Sequence, residues 1–207
     1  MIKARHKRLY IWFIRSYIAI NRRLCFKAVA IKGETLVPAG KPVLIIANHF
    51  SWWDGFFLFL LNDKKLKRKF HVMMLEEQLK PRMFLNKVGA YSVNRSSKSL
   101  LESIRYTSEL LSDGNNMVVL FPQGEIESQH KRELRFARGV DIILAQCDEK
   151  PAIIFTAAVT DWFSSKKPTV NIYMRDYHYN GDETYRRIES DYNSFLEECH
   201  NQQIPGL

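Results

Sequence analysis

Two short runs constrain this chain more than anything else in it. Val43-Leu-Ile-Ile-Ala47 and Met117-Val-Val-Leu-Phe121 are apolar throughout and rich in β-branched residues. A strand with one wet face alternates apolar and polar side chains. A strand apolar at every position is covered on both faces, the situation of a parallel sheet between helical layers. The rest of the chain fits that frame. Further strands are expected at 29–32, 70–75, 91–93, 152–159 and 169–174, and helices at 54–61, 76–87 (interrupted by Pro81), 97–112, 139–147 and 183–200. Strands alternating with helices define an α/β fold: a single domain with a central, mostly parallel sheet flanked by helices. At 207 residues the chain fits one such domain, and it shows no internal repeat, low-complexity tract or linker.

The N-terminus differs from the rest. Residues 3–27 lack Pro and Gly, and Leu9, Phe13, Tyr17, Ile20 and Leu24 recur at helical steps along one face, with Arg8, Arg15 and Arg22 on roughly the opposite one. Residues 1–33 hold nine of the 31 Lys and Arg residues and no Asp or Glu, leaving 22 basic against 22 acidic residues beyond them. The whole net charge of +9 therefore lies at one end. The chain divides into a basic amphipathic helix, 1–28, and a domain, 29–207. Such a helix suits the interface of an anionic membrane, each cation contributing about 1 kcal/mol near anionic lipid. It also suits a helix packed on the domain with a solvated basic face. Nucleic acid is a third possible partner for a basic arm, but no recognised nucleic-acid motif accompanies it. A second basic run, Lys64 to Lys69, reads as a solvated turn or as a docking patch for an acidic carrier protein or coenzyme A phosphates.

Cys25, Cys147 and Cys199 are odd in number, widely spaced and without a CxxC pair, which fits a reducing compartment and neither a disulfide framework nor a zinc site. No run reaches 18 apolar residues, and the short apolar stretch Leu9 to Ile14 is followed at once by Arg15. The expected location is the cytoplasmic face of a membrane, held from its surface.

In a parallel sheet, ligands bind beyond the carboxyl ends of the strands. Attention therefore falls on Asn48-His49, with Asp54 five residues on, and on Pro122 to Glu125. An imidazole can take a proton from an attacking hydroxyl when a carboxylate fixes its other nitrogen. The spacing by itself is common here: His71 with Glu76 and His178 with Glu183 share it. Only His49 also stands at the end of a buried strand and before a helix start. Taken alone, the pair reads as readily as a packed histidine and a helix N-cap.

Two more blocks follow in order, Gly89-Ala-Tyr-Ser-Val-Asn-Arg95 and Phe121-Pro-Gln-Gly-Glu125, and then Phe136-Ala-Arg-Gly139. With these the chain resembles the glycerolipid acyltransferases, which include the lysophosphatidic acid acyltransferases, over about residues 30–160. The family's Asn-His-x4-Asp block matches Asn48, His49 and Asp54; its Gly-x5-Arg block matches Gly89 and Arg95. Its Phe-Pro-Glu-Gly-Thr block is matched at Phe121, Pro122 and Gly124, with Gln123 and Glu125 departing from the pattern. The fourth block, at Pro151-Ala-Ile-Ile154, has the leading proline and lacks the second.

The resemblance implies an O-acyltransferase of phospholipid synthesis. It would move a fatty acyl group from acyl carrier protein or coenzyme A, as co-substrate, to a membrane lipid acceptor such as lysophosphatidic acid. It implies no metal and no resident cofactor. His49 would be the base and Asp54 its orienter, with Asn48, Gly89, Arg95, Phe121, Pro122, Gln123, Gly124 and Glu125 holding substrate. Arg95 has a planar fork suited to a phosphate, and equally the position of a cation beside helix 97–112. Backbone N–H groups around Gly124 would suit an anion, or belong to a plain turn. The two departures fall in the blocks associated with the acceptor, which keeps a lyso-aminolipid open. A non-catalytic binding module and a thioesterase are the remaining alternatives. Oligomeric state is not legible.

Overall fold

A computed structural model of the chain describes residues 1–94 and 97–203. Five strands run parallel: β2 (Val43–Ala47), β3 (Lys69–Leu75), β4 (Ala90–Val93), β5 (Asn116–Leu120) and β6 (Ala152–Asp161), side by side as β6-β2-β5-β3-β4. β7 (Thr169–Tyr177) pairs antiparallel with β6 through a hairpin, and β1 (Ala28–Lys32) lies parallel to β7 at the far edge. The helices are α1 (Arg8–Cys25), α2 (Asp54–Leu61), the short α3 (Glu76–Leu79) and α4 (Met83–Asn86), α5 (Ser97–Leu110), α6 (Val140–Ala145) and α7 (Tyr185–Asn201). The expected α/β domain with a mostly parallel sheet is the fold.

β2 and β5 are buried at every position, as their composition requires. Their side chains alternate between two cores. Val43, Ile45, Met117 and Val119 meet Ile14 and Ile18 of α1 and Phe56 and Phe57 of α2. Leu44, Ile46, Val118 and Leu120 meet Ile104 of α5, Ile143 of α6 and Tyr192 of α7. From β2 the chain moves outward to β3 and β4 through helices of the first layer, then returns through α5 and α6 in the second. Reversing direction and face together keeps the parallel crossovers one hand. The chains leaving the neighbouring strands β2 and β5 therefore part to opposite faces. A crevice opens where they diverge, at the topological switch point.

The N-terminus departs from the expected helix over 3–27. Residues 1–7 are extended along the open side of β4. Ser92 N donates to Ile2 O at 2.9 Å, Arg5 N to Asn86 O at 3.0 Å and Lys7 N to Lys87 O at 2.8 Å. An edge strand offers unpaired backbone groups, and this strap covers them. α1 then starts at Arg8. Its buried residues are Ile14 and Ile18, while Leu9, Phe13, Ile20 and Leu24 of the stripe read from the sequence are exposed.

Candidate active site

The site is built on the loop between β2 and α2. Asn48, at the end of β2, is buried and forms a two-way bridge to β6: its Nδ2 donates to Ala158 O and its Oδ1 accepts from Ala158 N, both at 2.9 Å. The loop then turns so that Asp54, first residue of α2 and 2% exposed, faces back into it. One carboxylate oxygen, Oδ2, accepts from Phe50 N at 2.7 Å and Ser51 N at 2.8 Å and lies 2.7 Å from His49 Nδ1. With that oxygen accepting from two amides, Nδ1 is the nitrogen that carries the imidazole proton, and Nε2 is left with a lone pair able to accept one. The five-residue spacing thus has a local cause: a tight turn before a helix brings the helix's first carboxylate under the strand-end histidine.

Burial pushes the Asp54 carboxyl up, while the hydrogen bonds from His49, Ser51 and Phe50 hold it down. Among the described residues its second oxygen, Oδ1, is buried without a hydrogen-bond partner.

The loop after β5 closes over the other side of His49. The His49 ring stacks on Phe121, centroids 4.2 Å apart. Gln123 reaches across: its Oε1 accepts from His49 N at 2.7 Å, and its Nε2 donates to Glu127 Oε2 at 2.5 Å. Glu127 N donates to His49 O at 2.9 Å, and Lys131 pairs with the Glu127 carboxylate, which is held below its ordinary value by Lys131 first and Gln123 after. Gln123 therefore tethers the histidine backbone. Glu127 and Ala158, which no sequence motif singled out, complete the frame.

His49, its side chain 22% exposed, lies on an apolar cleft of about 820 Å³ that passes the carboxyl ends of β3, β4 and β5. Phe56, Val72, Ala90 and Ile104 line its interior; Trp52, Gly124, Glu125 and Arg138 also line it. Its size is that of a small-molecule site.

The other expected site residues divide. Phe121, Pro122, Gln123, Gly124 and Glu125 all line the cleft. The Gly124 N–H donates to Phe121 O at 3.0 Å, so it closes the turn and is not a free anion donor. Gly89 has φ +108°, and a Cβ there would stand 1.9 Å from Phe70 O. Its role seen here is close backbone approach before β4. Arg95 lies outside the described residues, though its neighbour Asn94 lines the cleft. Pro151 to Ile154 begins β6, where Ala152 pairs with Val43 at the amino end of the sheet, the edge opposite His49. Lys64 to Lys69 leads into the amino end of β3, also away from His49.

An α/β domain thus sets a His-Asp pair at the switch point of its sheet, opening on an apolar cleft. Comparison with known proteins gives the family. Residues 28–160 match the Acyltransferase family model, and the chain belongs to that family. That membership supports an acyltransferase activity, as the ordered motifs implied. The fold is similar to the crystal structure of the 1-acyl-sn-glycerophosphate (LPA) acyltransferase PlsC from Thermotoga maritima, with a TM-score of 0.59 and 11% identity, over 95% of this chain and 81% of that one. No curated protein sequence matches.

Proposed function

We propose that the protein transfers a fatty acyl group from an acyl carrier protein or coenzyme A thioester to a hydroxyl of a lysophospholipid, lysophosphatidic acid first among them. The observation that carries this reading is the His49–Asp54 pair held at an apolar cleft. In the reaction His49 Nε2 takes the hydroxyl proton as the oxygen attacks the thioester carbonyl. The new C–O bond forms, the C–S bond breaks, and the imidazolium returns the proton to the departing thiolate. Asp54 stabilises the imidazolium and stays ionised. The apolar interior takes the acyl chain, its size being in the range of ligand pockets. Arg138 in the cleft lining, with Arg95 of the Gly-x5-Arg block, supports a phosphate-bearing acceptor. Glu125 favours a second acceptor class: it lines the same cleft and, among the described residues, forms no ion pair. A lyso-aminolipid would suit it.

No helix among the described residues is long and apolar enough to cross a membrane. The exposed face of α1, with Trp12 and Phe13 at 64% and 57%, supports contact with an anionic membrane surface, and the free cysteines support the cytoplasmic side as its place.

Purified protein should release thiol from an acyl thioester in proportion to added lyso-lipid. His49→Ala should lower that rate at least ~100-fold with folding retained. Turnover near wild type in His49→Ala would exclude the mechanism, and thiol release indifferent to acceptor would mark a thioesterase. A panel of lyso-lipids separates the phosphate from the amine acceptor.

A further inference from the structure

The tip of the β6–β7 hairpin, residues 162–168, has no part in the chemistry above. It carries Trp162 and Phe163, 51% and 44% exposed, followed by the exposed Lys166 and Lys167. Single exposed hydrophobes are ordinary. Two adjacent large aromatics at a loop tip flanked by lysines are not, and they have the composition of a membrane-interface element. The backbone adds an independent sign. Phe163 has φ +44°, in the left-handed region that costs a bulky residue roughly 1 kcal/mol and that Asn or Gly adopts readily. The turn itself is closed by Ser165 N donating to Trp162 O at 2.8 Å, a backbone contact that requires no aromatic ring. Folding therefore has no need of Phe163 at this point.

Position gives the tip its context. β6 runs beside β2, with Ala47 opposite Thr156 and Ala158 bonded to Asn48. Four residues beyond Ala158, the tip stands ~13 Å past the level of the catalytic loop, on the edge where the cleft lies. It adjoins the end of α1: Lys167 Nζ donates to Arg23 O at 3.0 Å, and Lys27 N donates to Pro168 O at 2.8 Å. Exposed Ile20 and Leu24 of α1 and exposed Arg23 and Lys27 thus neighbour the tip's own aromatics and lysines. The acidic residue of the segment, Asp161, is partly buried at its base. We infer that the hairpin tip 162–168 is a second membrane-contact element, inserting Trp162 and Phe163 into an anionic bilayer surface beside the end of α1. The inference rests on the proposed membrane reading of α1 and adds a second point of attachment. Two contacts fix the orientation of the domain, and place the catalytic edge toward the lipid, where one helix would leave it free to roll.

The test uses the full chain and co-sedimentation with phosphatidylcholine–phosphatidylglycerol vesicles, against phosphatidylcholine alone. Trp162→Ser combined with Phe163→Asn keeps a turn-compatible residue at the strained position. Partition onto the anionic vesicles should fall at least about tenfold, with turnover of a short-chain, water-soluble thioester and acceptor unchanged. Trp12→Ser with Phe13→Ser tests α1 separately. Release of the α1 variant with wild-type binding by the hairpin variant would overturn the hairpin assignment and leave the α1 reading standing. Release of neither would overturn both. A readout that leaves the tip's rings intact is an environment-sensitive dye on Ser164→Cys in a Cys25→Ser background. Its emission should shift to the blue on adding anionic vesicles, and an unshifted emission would overturn the proposal. So would unchanged vesicle binding with turnover lost only for carrier-protein thioesters, which would assign the tip to a protein contact.

Discussion

Gln123→Glu restores the residue of the family pattern and should nevertheless destabilise this protein. Gln123 works in two directions: its oxygen accepts from His49 N at 2.7 Å, and its amide donates to Glu127 at 2.5 Å. Glutamate preserves the first contact and replaces the second by two carboxylates in contact. Lys131 neutralises part of the charge on Glu127, but two ionised carboxylates at this separation still raise one pKa by one or two units, or ~1–3 kcal/mol. The sign follows. An acid whose folded pKa is raised contributes no deficit below its unfolded pKa, and stability is lost as pH rises through the folded value. Urea unfolding at pH 8 should therefore show the full loss in Gln123→Glu, and at pH 4, below the unfolded value, most of the difference from wild type should vanish. Adding Glu127→Gln reverses donor and acceptor and should recover most of the stability at pH 8. A loss equal at both pH values, or a double variant no better than the single, would refute the coupling. The departure at position 123 then reads as one half of a pair with Glu127 that holds His49, with no bearing on the acceptor.

Other outcomes follow from the same geometry. Asn48→Ala removes two hydrogen bonds and leaves both peptide groups of the buried Ala158 unpaired, so it should cost ~2–4 kcal/mol in chemical denaturation; a loss below ~0.5 kcal/mol would refute that account. His71 is buried, its pKa lowered to about 4 by desolvation first and by the nearby His6 next. The unfolded chain binds the proton from about pH 6.5 downward and the folded chain does not. Stability should fall by up to ~3 kcal/mol between those two values, and His71→Gln, still able to donate to Asn116, should lack that part of the acid sensitivity.

What was legible in the sequence is what local pattern encodes. β2 and β5 were readable because burial on both faces leaves their runs apolar, Asn116 at the start of β5 excepted, and α5 because its periodicity ends at Asp113-Gly114. The His49–Asp54 pair was readable because both partners belong to one turn. What was not legible depends on partners far along the chain. Asn48 meets Ala158 across 110 positions, His49 meets Gln123 across 74, and the strap at Ile2 meets Ser92 across 90.

The N-terminal helix shows the same limit in another form. Its apolar residues lie on two sides: Ile14 and Ile18 face the core, and the stripe of Leu9, Phe13, Ile20 and Leu24 faces out. Periodicity identifies a stripe but carries no label for which one the domain covers. The covered side is the one that docks Tyr17 against Trp53 and Phe56, partners far along the chain. Ile14 also lines the cleft, so the helix that offers apolar surface outward is at the same time a wall of the site. Removing residues 1–27 would therefore strip the β4 edge, open the core and unwall the cleft at once. Only substitutions on the outer stripe can separate membrane contact from catalysis in this chain.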